Sequence, residues 1–235
     1  MHLILIGCEY AGKSTLANRI FQWITTHMGP PIEDWHDHFV FPFVDPCAPK
    51  ADGTGLLSEG EMKEEASIVA SMTPTLLEKY VRYMINYHFL PDYYVDIHHL
   101  LINWYYGDAV YAPIYYGYGG PGKPYDRVAM ARMWDERVMK IAPDTVLVLV
   151  KASAQTIRER MEANPRPDCI LREKDIELVL ARFEEEFNRS RIFRQFVLDT
   201  TTGTPETTFQ EFLRQMRPHF SQADRLALMT PATHS

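Results

Sequence analysis

The sequence predicts an α/β protein built on a parallel five-stranded sheet with helices on both faces. Three observations carry that expectation. Short apolar runs alternate with amphipathic stretches along most of the chain. The runs "HLILIG" and "DTVLVLV" are apolar at nearly every position, the pattern of strands buried on both faces of a parallel sheet. A stretch shaped like a helix separates each strand from the next, as parallel pairing requires.

The elements follow in order. His2 to Gly7 is strand one, and a helix runs from about Lys13 to His27 and ends before "GPP". "PIEDWHDHFVFPFVD" is strand two, and "KADGTG" is a loop. Ser58 with Glu61 forms a capping box for a helix to about Met72. Pro74 opens the next helix, to about Phe89, because its missing N–H costs nothing in a first turn. "DYYVDIHH" is strand three. Residues 104–125 fit no period and read as a loop or a broken helix, and Asp126 to Ile141 is a helix. "DTVLVLVKAS" is strand four, and Ser153 caps a helix to about Ala163. "KDIELVLARFEEEFNRSRIF" is a long amphipathic helix, "QFVLDTT" is strand five, and Pro205 to about Met216 is a helix. One domain is expected over residues 1–221, with 222–235 a loosely held tail.

Composition narrows the function. At 235 residues, 46% hydrophobic and 23% charged, the chain can bury a sizeable core. A net charge of -7 argues against general nucleic-acid binding, which needs basic surface. Cys8, Cys47 and Cys169 are odd in number and far apart, so reduced thiols and a cytoplasmic location are expected. Strand one starts too close to Met1 for a signal peptide, and no apolar run is long enough to cross a bilayer.

The chemistry starts at "GCEYAGKST". Gly7, Gly12, Lys13 and Ser14 fit the G-x-x-x-x-G-K-[ST] phosphate loop, and the motif sits between an apolar strand and a helix, the context that confirms it. Glycines let successive N–H groups turn inward on a phosphate, and the helix N-terminus adds positive potential. Gly7, Tyr10, Ala11, Gly12, Lys13, Ser14 and Thr15 are therefore the expected nucleotide-binding residues, for ATP. Lys13 reaches the β- and γ-phosphates, and the Ser14 hydroxyl ligates Mg²⁺. Such a site needs a carboxylate at a neighbouring strand end. Asp96, in "YYVDIHH", is the candidate for the metal or for a proton, against a plainer role as a helix cap.

With these residues placed, the chain resembles the thymidylate kinase group of P-loop kinases, which is related to the deoxynucleoside kinases. "GCEYAGKST", with its acidic third residue Glu9, is similar to that family's phosphate loop. "VDIHH" stands where the family has Asp-Arg, "APDTVLVLV" resembles its strand four, and "REKDIELVLARFEEEFNRSR" resembles its LID-to-helix stretch. The resemblance implies a phosphotransferase that uses ATP and Mg²⁺ on a small-molecule acceptor. It implies an acceptor region at about 31–125 and a short LID at about 162–175. Glu9 would touch the acceptor's sugar hydroxyl. Arg166 and Arg172 would be LID arginines closing over the transferring phosphate, unless they are solvated loop charges. Tyr105, Tyr106, Tyr111, Tyr115, Tyr116 and Tyr118 lie where the acceptor's base would bind, Tyr105 and Tyr111 being the substrate candidates. Clustered aromatics also fill cores and mark interfaces, so a homodimer is compatible with the cluster.

Two departures bear on the acceptor. The family's arginine after the strand-three Asp is Ile97 here, and "EDWHDHF" stands where another arginine would follow strand two. Both arginines grip an acceptor monophosphate in that family. Without them, an anionic acceptor facing Glu33, Asp34 and Asp37 is repelled, so an uncharged nucleoside or sugar fits better than thymidylate. In nucleoside kinases an acid ending strand two acts as base, and the segment from Glu33 to Asp37 could supply it, with Asp37 also a substrate candidate. Arg127 and Arg132, beyond the tyrosines, are the residues that could replace the missing pair. His36, His38, His98 and His99 admit a metal site or a polar pocket lining. The rival function is a regulatory P-loop NTPase that hydrolyses or senses nucleotide for a protein partner. The chain has no Asn-Lys-x-Asp and no acid ending strand four, which weighs against it.

Overall fold

Continuous apolar character decides which segments become inner strands. The computed structural model describes residues 1–29, 34–37, 50, 53–55, 58–90, 98–166 and 169–229, with backbone alone at 34–37. Strand β1 is His2–Ile6, β2 Asp34–Asp37, β3 His99–Ile102, β4 Val146–Lys151 and β5 Arg194–Asp199. They pair in the order β2-β3-β1-β4-β5, every pair parallel. The register sets Leu3 between Leu100 and Val146, and Leu5 between Ile102 and Val148. All of these side chains are buried, so the centre of the sheet is dry on both faces.

Helix α1 is Lys13–His27, α2 Glu59–Ala70, α3 Pro74–Tyr87, α4 Trp104–Tyr111 and α5 Arg127–Ile141. Helix α6 is Ala154–Ala163, α7 Ile176–Arg189, α8 Pro205–Met216 and α9 Gln222–Met229. Local chemistry sets several starts. The Ser58–Glu61 capping box forms as its spacing requires, with the Ser58 N–H donating to Glu61 Oε2 at 2.8 Å. The Ser153 hydroxyl caps α6 from Thr156 N–H at 3.1 Å. Helices α1 and α8 pack together over β1, β3 and β5, while α4 and α7 pack together against β1 and β4.

Three expectations are corrected. Strand three is "HLLI", beginning at His99 where the expected strand "DYYVDIHH" ends. All four of its positions are buried beside β1, and residues 92–97 of the expected strand lie outside the described residues. Residues 104–116 are helical, α4 running directly into a π-helical turn at Ala112–Tyr116. Every residue of α4 is buried, so its composition shows no two-sided pattern and its period is hidden in the sequence. Of the segment set apart as a tail, Gln222–Met229 forms α9, where the carboxylate of Asp224 is 3% exposed and pairs with the Met1 ammonium at 2.9 Å, and 230–235 lie outside the described residues. Ser221 N–H and Oγ also donate to Asp224, at 2.9 and 2.8 Å. Among the described residues no helix is long and apolar enough to cross a membrane.

Candidate active site at the carboxyl edge of the sheet

The phosphate loop joins the end of β1 to α1, and its backbone is held in shapes that few residues adopt. Gly7 has φ +151, and a Cβ there would lie 2.1 Å from the Val150 carbonyl oxygen, so only glycine fits against β4. Gly12 (φ +92) and Tyr10 (φ +61) are both left-handed. Tyrosine is strained in that region unless it is tied down, and it is. Arg160 Nη1 donates to the Tyr10 carbonyl at 2.9 Å, and the Arg166 guanidinium lies 4.8 Å from the centre of the Tyr10 ring. Thr200 Oγ1 donates to the Ala11 carbonyl at 2.9 Å. These bonds fix the carbonyls of Tyr10 and Ala11 and hold the loop in its shape. Helix α1 has no side chain capping its N-terminus and no acid in its first turn, so its positive end is available to an anion.

Lys13 Nζ donates to the carbonyls of Gly7 and Cys8 at 2.9 and 2.8 Å. A cavity of about 440 Å³ opens beside it. Lys13, Ser14, Asn103, Arg160 and Arg166 line it, together with Thr200 and the start of α8. Gly12 and Tyr10 also face it. Glu9 is the one carboxylate in its wall among the described residues. Cys8, under the loop, is 1% exposed, and burial pushes its thiol up to about 12, so it is not a nucleophile.

Glu9 lines the cavity with both carboxylate oxygens already bonded within the protein. Its side chain is buried, Oε1 accepts from Arg166 Nη2 at 2.7 Å, and Oε2 accepts from Leu171 N–H at 2.8 Å. Burial raises its pKa, opposed by the Leu171 N–H and by Arg166. Of the two expected LID arginines, Arg166 lines the cavity and Arg172 does not. The Arg172 guanidinium lies 5.3 Å from the centre of the Tyr115 ring, away from the phosphate loop's lysine.

The structure does not describe the expected strand-three acid. Asp96 lies outside the described residues, as do Glu33 and Ile97, and β3 begins three positions after it. The residue at the carboxyl end of β3 is Asn103, whose Oδ1 accepts from Gly7 N–H at 3.1 Å. Asn103 is left-handed itself, at φ +60, and Trp104 follows it. Neither an acid nor an arginine stands there. Asp37 pairs with Ile102 in backbone register, at the same edge of the sheet, and its side chain lies outside the described residues. His98 and His99 fall at the opposite, amino-terminal end of β3. His98 Nδ1 is 2.7 Å from the Met1 nitrogen. No group of three His, Cys, Asp or Glu among the described residues could hold a metal ion.

The tyrosines belong to the core. Tyr105 and Tyr106 are 0% exposed and donate to Asp135 Oδ1 at 2.8 and 2.6 Å. Tyr105 is thus no acceptor ligand. The Tyr111 hydroxyl accepts from Glu9 N–H at 3.2 Å, so it steadies the phosphate loop from below. Tyr118 donates to Asp108, which pairs with the buried Arg127.

Asn103, Arg160 and Thr200 are the site residues that sequence reasoning missed. Asn103 had a signal, as the first polar residue after an apolar run that leads into aromatics. Thr200 sits just past strand five, where a ligand-facing residue is expected. Nothing local distinguishes Arg160 from Arg158, which pairs with Glu177 at the surface.

No family model matches the chain, and a comparison with curated proteins finds no match. Solved structures do match. Deoxyadenosine kinase from M. mycoides with bound dCTP is 15% identical, over 93% of this chain and 100% of that one, with a TM-score of 0.54. The same enzyme with bound dATP is 14% identical, over 92% and 100%, with a TM-score of 0.51. At this identity the likeness concerns the fold alone, which this chain shares with that kinase.

Proposed function

We propose that the chain is a small-molecule kinase that transfers the γ-phosphoryl group of ATP, with Mg²⁺, to a nucleoside- or nucleotide-like acceptor, preferring one without a phosphate. The observation that carries this reading is the convergence of Lys13, Ser14 and Arg166 on one cavity at the mouth of a glycine-shaped loop. Lys13 supplies a point charge for the β- and γ-phosphates, and Ser14 the hydroxyl for the metal. Mg²⁺, when bound, would neutralise charge on the phosphates. Arg166 offers a planar donor that spreads charge on a transferring group. Segment 162–175, with Arg166, serves as the LID.

The preference for an uncharged acceptor is supported by the arginines that are already committed. Arg127 is 0% exposed and pairs with Asp108 and, at 3.0 Å, with Glu78. Arg132 pairs with Glu186 at 3.1 Å and Asp135 at 3.2 Å. Releasing either for a substrate phosphate would leave buried carboxylates unpaired, at about 3–5 kcal/mol.

One observation favours the second reading, a nucleotide-sensing NTPase. Strand β3 ends in an amide, Asn103, which cannot act as a base. The two readings separate in one experiment. ATP consumption is followed with each nucleoside, its monophosphate and a set of sugars, and product masses are measured. The kinase reading expects little consumption alone and stimulation by a neutral hydroxyl compound that gains one phosphoryl group. Stimulation by a monophosphate alone removes the acceptor preference. ADP and inorganic phosphate with every acceptor, and no phosphorylated product, remove the kinase.

A further inference from the structure

Both oxygens of the Glu9 carboxylate are spent on the segment that carries Arg166. Oε1 takes the guanidinium at 2.7 Å, and Oε2 takes the Leu171 N–H at 2.8 Å with the Cys169 thiol at 3.7 Å. The next residue repeats the arrangement, since the Tyr10 hydroxyl accepts from Arg166 N–H at 3.1 Å while its ring lies under the guanidinium. Further along, the Tyr115 hydroxyl accepts from Arg172 N–H at 3.3 Å and donates to Asp175 at 3.2 Å. Glu9 is itself mounted on α4, through its N–H and the buried Tyr111. A line of bonds therefore runs from the core through the phosphate loop to the one arginine of this segment that reaches the cavity.

We propose that Glu9 is the positioning residue of the LID, its buried carboxylate holding Arg166 and the Leu171 backbone against the phosphate loop so that the guanidinium meets the transferring phosphate in a set orientation. This rests on the phosphate-transfer reading above and assigns Glu9 to the enzyme's own LID, in place of an acceptor hydroxyl. A carboxylate at this depth needs hydrogen-bond partners, and the partners it has are a guanidinium and a backbone amide of the segment that carries Arg166. Because the bond is made by a phosphate-loop residue, the arginine is ordered by the same loop that orders the phosphates. Less reorganisation then remains for the reacting state.

Cys169 is a built-in reporter, half-buried beside Glu9. Its alkylation by iodoacetamide is measured in nucleotide-free protein by peptide mass spectrometry, with the buried Cys8 as internal control for folding. Glu9→Gln and Arg166→Met should each speed Cys169 alkylation roughly tenfold, the loss expected for one charged hydrogen bond, and the double variant should be no faster than the faster single. The two substitutions push the thiol in opposite directions, since Glu9 raises its pKa and Arg166 lowers it, so a shared acceleration reports opening. An unchanged rate in either single variant, or multiplied effects in the double, overturns the proposal. In turnover, Glu9→Gln should lower kcat roughly tenfold with the acceptor KM little changed. A raised acceptor KM at unchanged kcat returns Glu9 to the substrate and overturns it. The alkylation arm needs no turnover, so a protein that phosphorylates nothing would sink the kinase reading and still test the LID contact.

Discussion

Lys13 and Asn103 meet the phosphate loop from its two sides, and each supports its own prediction. Lys13 Nζ already lies at the mouth of the loop, on the Gly7 and Cys8 carbonyls. Lys13→Ala should cut kcat by roughly 10²-fold or more while the melting temperature stays within a few degrees, because a charge-stabilising donor is lost and the loop's backbone is not. Normal turnover by the folded variant would end the phosphate-loop assignment. Asn103→Ala should leave Gly7 N–H buried without a partner, at a cost of about 1–3 kcal/mol. Affinity for a non-hydrolysable ATP analogue, measured by calorimetry, should fall roughly tenfold with it. Unchanged affinity would show the amide to be dispensable. Lys13 was legible because a short motif implies its own geometry. Asn103 was not, because its role depends on where β3 stops, and that is set by pairing with β1.

At the scale of one element, α4 shows how composition misleads. Its tyrosines suggest a pocket for a flat ring, yet all eight residues are buried and the hydroxyls are spent on the protein. Asp135 gathers the Tyr105 and Tyr106 hydroxyls and, at 2.9 Å, the Arg191 N–H. Tyr105→Phe should cost about 1 kcal/mol of stability, one hydrogen bond, and leave the acceptor KM unchanged. The check is denaturant unfolding beside steady-state kinetics, and a raised acceptor KM would return Tyr105 to the acceptor site. The amphipathic helices α7 and α8 were readable because a half-buried helix writes its period into the sequence. A helix buried all round, such as α4, has no such signature, and its glycine and tyrosines look like loop composition.

At the scale of the whole molecule, α9 ties the end of the described chain to its beginning. Burial by itself would raise the pKa of Asp224, but the Met1 ammonium and the two Ser221 bonds outweigh it and hold the carboxyl below the usual range. The sign follows: a depressed folded pKa adds stability above the unfolded value, and that stability is lost as pH falls through the folded one. The unfolding free energies of wild type and Asp224→Asn should therefore differ by a constant amount at neutral pH and converge below about pH 4. A difference that stays constant down to pH 2 would show that the carboxylate contributes nothing as an anion. The sequence offered no warning of this contact, since its partners lie more than two hundred positions apart.

By itself the sequence determined the layered α/β class, the glycine-shaped turn from β1 into α1 through Gly7, Gly12, Lys13 and Ser14, most helix starts and the outer limits of β1 and β4. All of these rest on neighbours within a few residues, where caps, glycine backbone and unbroken apolar runs act. The tertiary structure alone decided which residue ends β3, which of Arg166 and Arg172 lines the cavity, and that Glu9 bonds Arg166 and the Leu171 N–H. Each is an outcome of packing between segments remote in the chain. A parallel sheet brings strand ends together only after long crossovers, so nothing local records which side chains will meet there.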